Sequence, residues 1–401
     1  MALAISNARL YTPWQVIGPG WLLVEGDRIR ALGPGAPAQL PPGTQTLDLG
    51  GRLLAPGFID LHLHGGSGWD VMDESEQALP AISRFVARFG CTGFLPTTIT
   101  AGPAHITRRL AAIAQAAQDQ PQGARVLGAH VEGPYFNPVT AGAQPPQYLR
   151  NPDPEHAERM LGEALPWVRT FSLAPELPGA LPTIAWLADQ GIVPCLGHTN
   201  ATYDQFREAM AAGARHATHL YSAMRPFDKR DPGIIGGVWT DERCSAEVIC
   251  DLVHAHPAAL EVARQTKGPD RLVLVSDAMK ATGQPPGVYE LGSQRVMVDE
   301  QVALLSGSLD EPAQAVLAGS VLTLDRALAN AHLALGWPLP EVLACLGLNP
   351  ARVIGLDAHK GRLQPGYDAD LVVLEPDLRV WGTMVGGEWV YLRGKETAGG
   401  A

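Results

Sequence analysis

The sequence predicts an α/β protein, a (β/α)8 TIM-like barrel with a small β-sandwich domain built from both chain termini. Three observations point there. The middle of the chain alternates short apolar runs with helix-like segments, its two ends are β-rich and broken by turns, and unusual polar residues repeatedly close the apolar runs.

The N-terminal end supplies three β-like stretches, 3–10, 21–32 and 46–54, separated by Gly, Pro and Asp-Arg turns, and is assigned to the sandwich as residues 1–54. Eight apolar runs follow at 57–63, 93–98, 125–131, 168–174, 192–197, 215–220, 245–250 and 271–276. Helical spacing of apolar residues fills 78–89, 104–117, 181–190, 203–212 and 257–266, and the whole of 55–352 is assigned to the barrel. A doubly wound open sheet gives similar local patterns. The polar run ends favour the barrel, whose active sites gather side chains from the C-terminal ends of several strands. Residues 287–309 read as a β-hairpin inserted after the eighth run. Stretches 361–363, 369–374 and 383–392, the last containing the turn Gly386-Gly387, return the chain to the sandwich as 353–401.

With 401 residues, 46% hydrophobic and 18% charged, the chain can bury a large core. A net charge of -11 argues against nucleic acid, which needs a basic footprint. No apolar run reaches the roughly 18 residues of a membrane span, and the start Met1-Ala2-Leu3-Ala4-Ile5 lacks a basic signal region, so the expectation is a cytoplasmic protein without a membrane partner. The five cysteines are scattered and form no C-x-x-C pair, which predicts neither a disulfide framework nor a zinc knuckle.

The run ends carry the chemistry. In Asp60-Leu61-His62-Leu63-His64 the two histidines lie two apart on a strand and share a face, so both can reach one cation; alone, such a pair fits a packing role as well. The third run ends His130-Val131-Glu132-Gly133-Pro134, where Glu132 is either an oxygen ligand or an exposed loop acid. His198 and His219 close the fifth and sixth runs, and each by itself reads as a satisfied core histidine. Four strand-end histidines and one acid, spread over runs one, three, five and six, make coincidence a poor explanation. Neutral imidazole and carboxylate are ligands for a divalent metal, zinc first, with iron, manganese or cobalt as alternatives. The eighth run ends Val275-Ser276-Asp277. Asp277 is a turn cap or, beside a metal, the proton acceptor for an activated water.

The strings PGFIDLHLHG, HVEGPY, GHTNATY, THLYSAM and LVSDA, in this order, resemble the signature blocks of the amidohydrolase superfamily, within it the branch that deacetylates N-acetylglucosamine 6-phosphate. The similarity extends to GRLQPGYDADLVVL at 361–374. The resemblance implies hydrolysis of a sugar acetamide to acetate and an amino-sugar phosphate. Glu132, His198 and His219 would form the principal metal site, with Asp277 as general base and acid. His62 and His64 match the members that hold a second ion, so one or two ions per subunit stay open. Substrate contacts are implied for His254, for Arg230 as a phosphate grip often lent by the neighbouring subunit of a homodimer, and for Ser222 and Ala223. Ser222 stands where many members carry Asn. Gln144 occupies the position of a residue that orients the acetamide.

Three rivals remain. A hydantoinase-like or dihydroorotase-like enzyme would need a carboxylated lysine on strand four, but that run ends Leu173-Ala174-Pro175-Glu176 and the first lysine of the chain is Lys229. A deacetylase of N-acetylgalactosamine 6-phosphate would share every metal and base residue. A non-catalytic scaffold should show eroded ligands, and these are intact.

Overall fold

Eight short strands, all parallel, form the middle of the molecule: β1 (Phe58–Leu63), β2 (Cys91–Pro96), β3 (Ala129–Glu132), β4 (Val168–Leu173), β5 (Val193–Leu196), β6 (His216–Ala217), β7 (Ser245–Ile249) and β8 (Leu272–Val275). β1 pairs with β2, and β3 to β8 pair each with the next. Single parallel bridges, Thr97 to His130 and Leu63 to Ala278, link the remaining neighbours, so the sheet is strongly curled. The computed structural model describes residues 2–12, 15–299, 301–306 and 316–394. Met1, residues 307–309 of the expected hairpin and 395–401 of the expected C-terminal segment lie outside the described residues.

Local chemistry explains these elements. The strands are continuous apolar runs such as Leu272-Val273-Leu274-Val275, all four buried, as expected of a parallel sheet covered on its faces. Helix Tyr203–Ala212 begins with a capping box, Thr202 accepting from the Gln205 backbone N–H while the Gln205 side chain accepts from the Thr202 N–H. It buries Phe206, Ala209 and Met210, the spacing of one helical face, and a fully buried Phe or Met contributes about 1.5–3 kcal/mol.

The termini meet in a second sheet. Its central strand Ala2–Tyr11 pairs antiparallel with Val16–Glu25 and parallel with Gln45–Asp48 and Leu53–Pro56. Leu53–Pro56 in turn pairs with the C-terminal strand Leu371–Leu374, which continues to Val380–Val385 and Glu388–Leu392. This sheet has an apolar cluster of its own, including Ile5, Leu10, Leu22, Ile29, Leu54 and Val373.

Three elements differ from the sequence expectation. The third run is split: Arg125–Val126 pairs with β2 while β3 pairs with β4, because Gly128 sits at φ +136° where a Cβ would stand 2.4 Å from the Trp167 carbonyl oxygen. The sixth run keeps only two strand residues before the backbone turns left-handed at His219, Tyr221 and Ala223. The inserted hairpin has a third strand, with Gly287–Leu291, Gln294–Val298 and Ala303–Leu305 pairing antiparallel in that order.

Candidate metal centre

The C-terminal ends of β1, β3, β5, β6 and β8 converge. Glu132, the last residue of β3, lies at the centre: its Oε1 is 3.4 Å from His62 Nε2, 3.3 Å from His198 Nε2 and 3.2 Å from His219 Nε2, and its Oε2 is 3.5 Å from His64 Nε2. His62 and His64 Nε2 are 3.2 Å apart, as their shared strand face requires, and His198 and His219 Nε2 are 3.1 Å apart. Asp277 closes the set, with Oδ1 3.3 Å from His64 Nε2 and 3.6 Å from His62 Nε2. All six residues are buried. Two ligand trios share Glu132, one with His62 and His64, the other with His198 and His219.

Backbone conformation aims three of these side chains. His198, His219 and Asp277 all have positive φ, at 47°, 29° and 50°. Non-glycine residues there cost on the order of 1–3 kcal/mol each, strain that persists where the surroundings impose it and that gathers at functional sites.

The proton inventory tests whether a cation fits. His64 Nδ1 faces the Thr97 carbonyl at 3.2 Å and His198 Nδ1 the Thr140 carbonyl at 3.2 Å; a carbonyl only accepts, so each Nδ1 donates. His62 Nδ1 likewise donates to Glu247 Oε2 at 3.1 Å. Each ring therefore turns its Nε2 toward carboxylate oxygens that also only accept, so each such contact needs either a proton on a charged ring or a cation beside a neutral one. Asp277 Oδ1 is buried with no hydrogen-bond partner. Burial by itself would lower the pKa of His62 and of His64, but the carboxylates of Glu132 and Asp277 outweigh it and raise both, that of His62 well above the usual imidazole value, so these two positions hold positive charge as a proton or as a cation that replaces it. Burial dominates at His198 and lowers its pKa, so its neutral ring has no proton to share with Glu132. A cage of convergent acceptors in an anionic field fits a divalent cation.

A cavity of about 540 Å³ opens over the cage. His64, Glu132, His198 and Asp277 form its floor, and Ser222, Ala223 and His254 line it. His254 Nδ1 donates to Asp251 Oδ2 at 2.7 Å; burial works against its protonation, but Asp251 outweighs it and raises the pKa. Two expected substrate contacts lie elsewhere. Gln144 is buried beneath the cage: its Nε2 donates to Glu132 Oε2 at 2.7 Å and its Oε1 accepts from the Thr100 N–H at 2.9 Å, so its amide is already engaged. Arg230 is exposed on the loop after β6 and does not line the cavity of its own chain. Arg225, unnoticed in the sequence, is the sole Lys or Arg among the described lining residues, paired with Asp231 and donating to the Asn200 carbonyl at 3.3 Å.

Sequence reasoning also missed His130 and Glu247. His130 precedes Glu132 by two residues, packs edge-on against His62 with ring centroids 4.7 Å apart, and donates to or accepts from Ser172 Oγ at 2.7 Å. Burial pushes its pKa down to about 3, so it is neutral. Glu247 breaks the apolar run of β7, and a lone acid inside a buried strand was the available signal.

The site thus has the composition of a metal-dependent hydrolase, and residues 53–390 match the model of the amidohydrolase family. The chain belongs to that family. It is similar to the N-acetylglucosamine-6-phosphate deacetylase of Lysinibacillus sphaericus, 37% identical over 86% of this chain and 87% of that protein. The N-acetylgalactosamine-6-phosphate deacetylase of Escherichia coli O157:H7 is also 37% identical, over 90% of this chain and 93% of its own length. Among solved structures, N-acetyl-D-glucosamine-6-phosphate deacetylase from Mycobacterium smegmatis in complex with N-acetyl-D-glucosamine-6-phosphate superposes with a TM-score of 0.89 at 37% identity, covering 97% of this chain and 99% of that one.

Proposed function

We propose that the protein hydrolyses the acetamide of N-acetylglucosamine 6-phosphate, releasing acetate and glucosamine 6-phosphate. The observation that carries this reading is the cage of histidines and carboxylates under the cavity, in a chain whose similar relatives bear that activity in their names. Glu132, His198 and His219 would hold one divalent ion, with His62 and His64 completing a second position. Zinc suits this donor set best. Such a cation, when bound, lowers the pKa of a coordinated water and polarises the amide carbonyl as a Lewis acid.

The chain's own residues do the rest. Asp277 Oδ1, buried without a hydrogen-bond partner, takes a proton from the attacking water as the O–C bond forms. Asp277 then returns it to the nitrogen as the C–N bond breaks, so the amine leaves neutral. Gln144 holds Glu132 in place, and Asp251 holds His254 with its other ring nitrogen free for a sugar hydroxyl. Arg225 is the positive charge within reach of the phosphate from the same chain, whose forked donors suit that group. Arg230 would reach a site only across a homodimer, which we include in the reading.

We further infer that the curled sheet is a closed (β/α)8 barrel spanning 55–352, and that 1–54 and 353–401 form the companion sandwich; the bridges between β2 and β3 and between β1 and the end of β8 support the former. The five unpaired, buried cysteines suit a reducing cytoplasm. A second reading, deacetylation of N-acetylgalactosamine 6-phosphate, is favoured by the like-named relative. Metal analysis with an acetate-release assay on both sugar phosphates tests the proposal. Full metal loading without acetate from either would overturn it.

A further inference from the structure

Glu247, in the middle of β7, is a carboxylate where its strand neighbours Ala246 and Val248 are apolar, and it is 1% exposed. Burying a lone charge costs several kcal/mol, so a packing role alone would be better filled by an aliphatic side chain. Three donors hold it. Its Oε2 accepts from His62 Nδ1 at 3.1 Å and from the main-chain N–H of His219 at 3.2 Å, and its Oε1 faces His216 Nε2 at 3.1 Å. Burial would raise its pKa, but the bonds from His216 and His62 outweigh this and hold it well below the usual carboxylate range. Beyond His216 the chain of contacts continues through His216 Nδ1 to Ser245 Oγ at 2.6 Å.

We propose that Glu247 is a positioning residue for the metal centre. One oxygen ties the ring of His62, a member of one ligand trio, to the backbone of His219, a member of the other. Glu132 joins the two trios from the cavity side, and Glu247 joins them from behind. The bond to Nδ1 also keeps a proton on that nitrogen, which leaves Nε2 as the one that a cation in the cage can take. Outer partners of this kind typically change metal affinity by about 10–100-fold when removed.

The inference rests on the metal-hydrolase reading, and its test separates the two. Apo-protein is titrated with zinc against a chromophoric chelator for the wild type, Glu247→Gln and Ser245→Ala, and the melting temperatures of the apo forms are recorded. The glutamine keeps an acceptor for His62 and His219 but removes the charge that strengthens the hold on the His62 N–H and raises the basicity of its Nε2 toward a metal. Its weakest-bound ion should loosen by about 10–100-fold with the apo melting temperature little changed, and saturating zinc should restore its turnover. Ser245→Ala, whose lost hydroxyl reaches His216 and the Arg215 carbonyl but none of the proposed ligands, should bind every ion as the wild type does. If Glu247→Gln binds every ion with wild-type affinity, or loses apo stability with no change in affinity, the positioning role is wrong. If Glu247→Gln does not fold, Glu247→Asp, too short to reach both partners, should show the same loosening, and wild-type affinity there would overturn the proposal. A wild-type protein that binds no zinc would sink the metal reading itself.

Discussion

Two clusters of buried carboxylates sit in this molecule, and they are completed differently. In the terminal sheet, Lys360 Nζ donates to Asp368 at 2.7 Å and also to Asp370, Arg28 reaches Asp368, and the Gly386 N–H donates to Asp370 at 2.8 Å. The chain itself supplies the positive charge there. At the strand ends, Glu132 and Asp277 face imidazole nitrogens, which titrate and can give up a proton to a cation, and no Lys or Arg ion pair with either is found among the described residues. One cluster is closed by the polypeptide and serves stability; the other is left open for an ion. The local charge balance thus separates a structural ion network from a binding site without reference to any relative.

The sharpest way to break this contrast is to remove the shared ligand. Glu132→Ala should lose metal and, with several kcal/mol of transition-state stabilisation gone, turnover should fall on the order of 10³-fold or more, checked by metal analysis and acetate release on a sample whose circular dichroism is unchanged. Asp277→Asn should retain metal while kcat falls by about 10²–10⁴-fold. Near-normal turnover with metal bound would mean that another group moves the proton. Lys360→Met, in the closed cluster, should instead cost about 3–5 kcal/mol in denaturant melts, since it takes the shared cation from two buried carboxylates, while kcat/KM per folded molecule stays at the wild-type value. A drop in kcat/KM there would show that the two clusters are not independent.

The sequence made the strand ends legible because metal ligation needs particular residue types at particular spacings. His62 and His64, two apart on an apolar run, share a face wherever the strand goes, and Glu132, His198, His219 and Asp277 each close a run. The outer partners were not legible. Gln144 contacts Glu132 through a loop whose course depends on Gly142 at φ +58°, where a Cβ would stand 3.4 Å from the His198 ring. Glu247 meets His62 only because a single strand, β8, stands between β7 and β1 in the curled sheet, a proximity of residues 185 apart in sequence. The alternating α/β elements were read for a similar reason: period and apolar runs reveal elements, but not that Gly128 would split the third run or that β6 would stop after two residues.

The smallest expected effect concerns two arginines on one loop. Arg225 lines the cavity and is braced by Asp231, whereas Arg230 is exposed and paired with neither Asp228 nor Asp231 through its guanidinium among the described contacts. A charge-assisted hydrogen bond contributes about 1.5–3 kcal/mol, and the phosphate is remote from the scissile amide, so it binds ground and transition states alike. Arg225→Ala should therefore raise KM by about 10–100-fold with kcat little changed. If Arg230→Ala raises KM and Arg225→Ala does not, the phosphate is gripped across a subunit boundary. Diluting the protein until it is monomeric would then raise KM as well, and the cavity over the open cluster would be completed by a second copy of the chain.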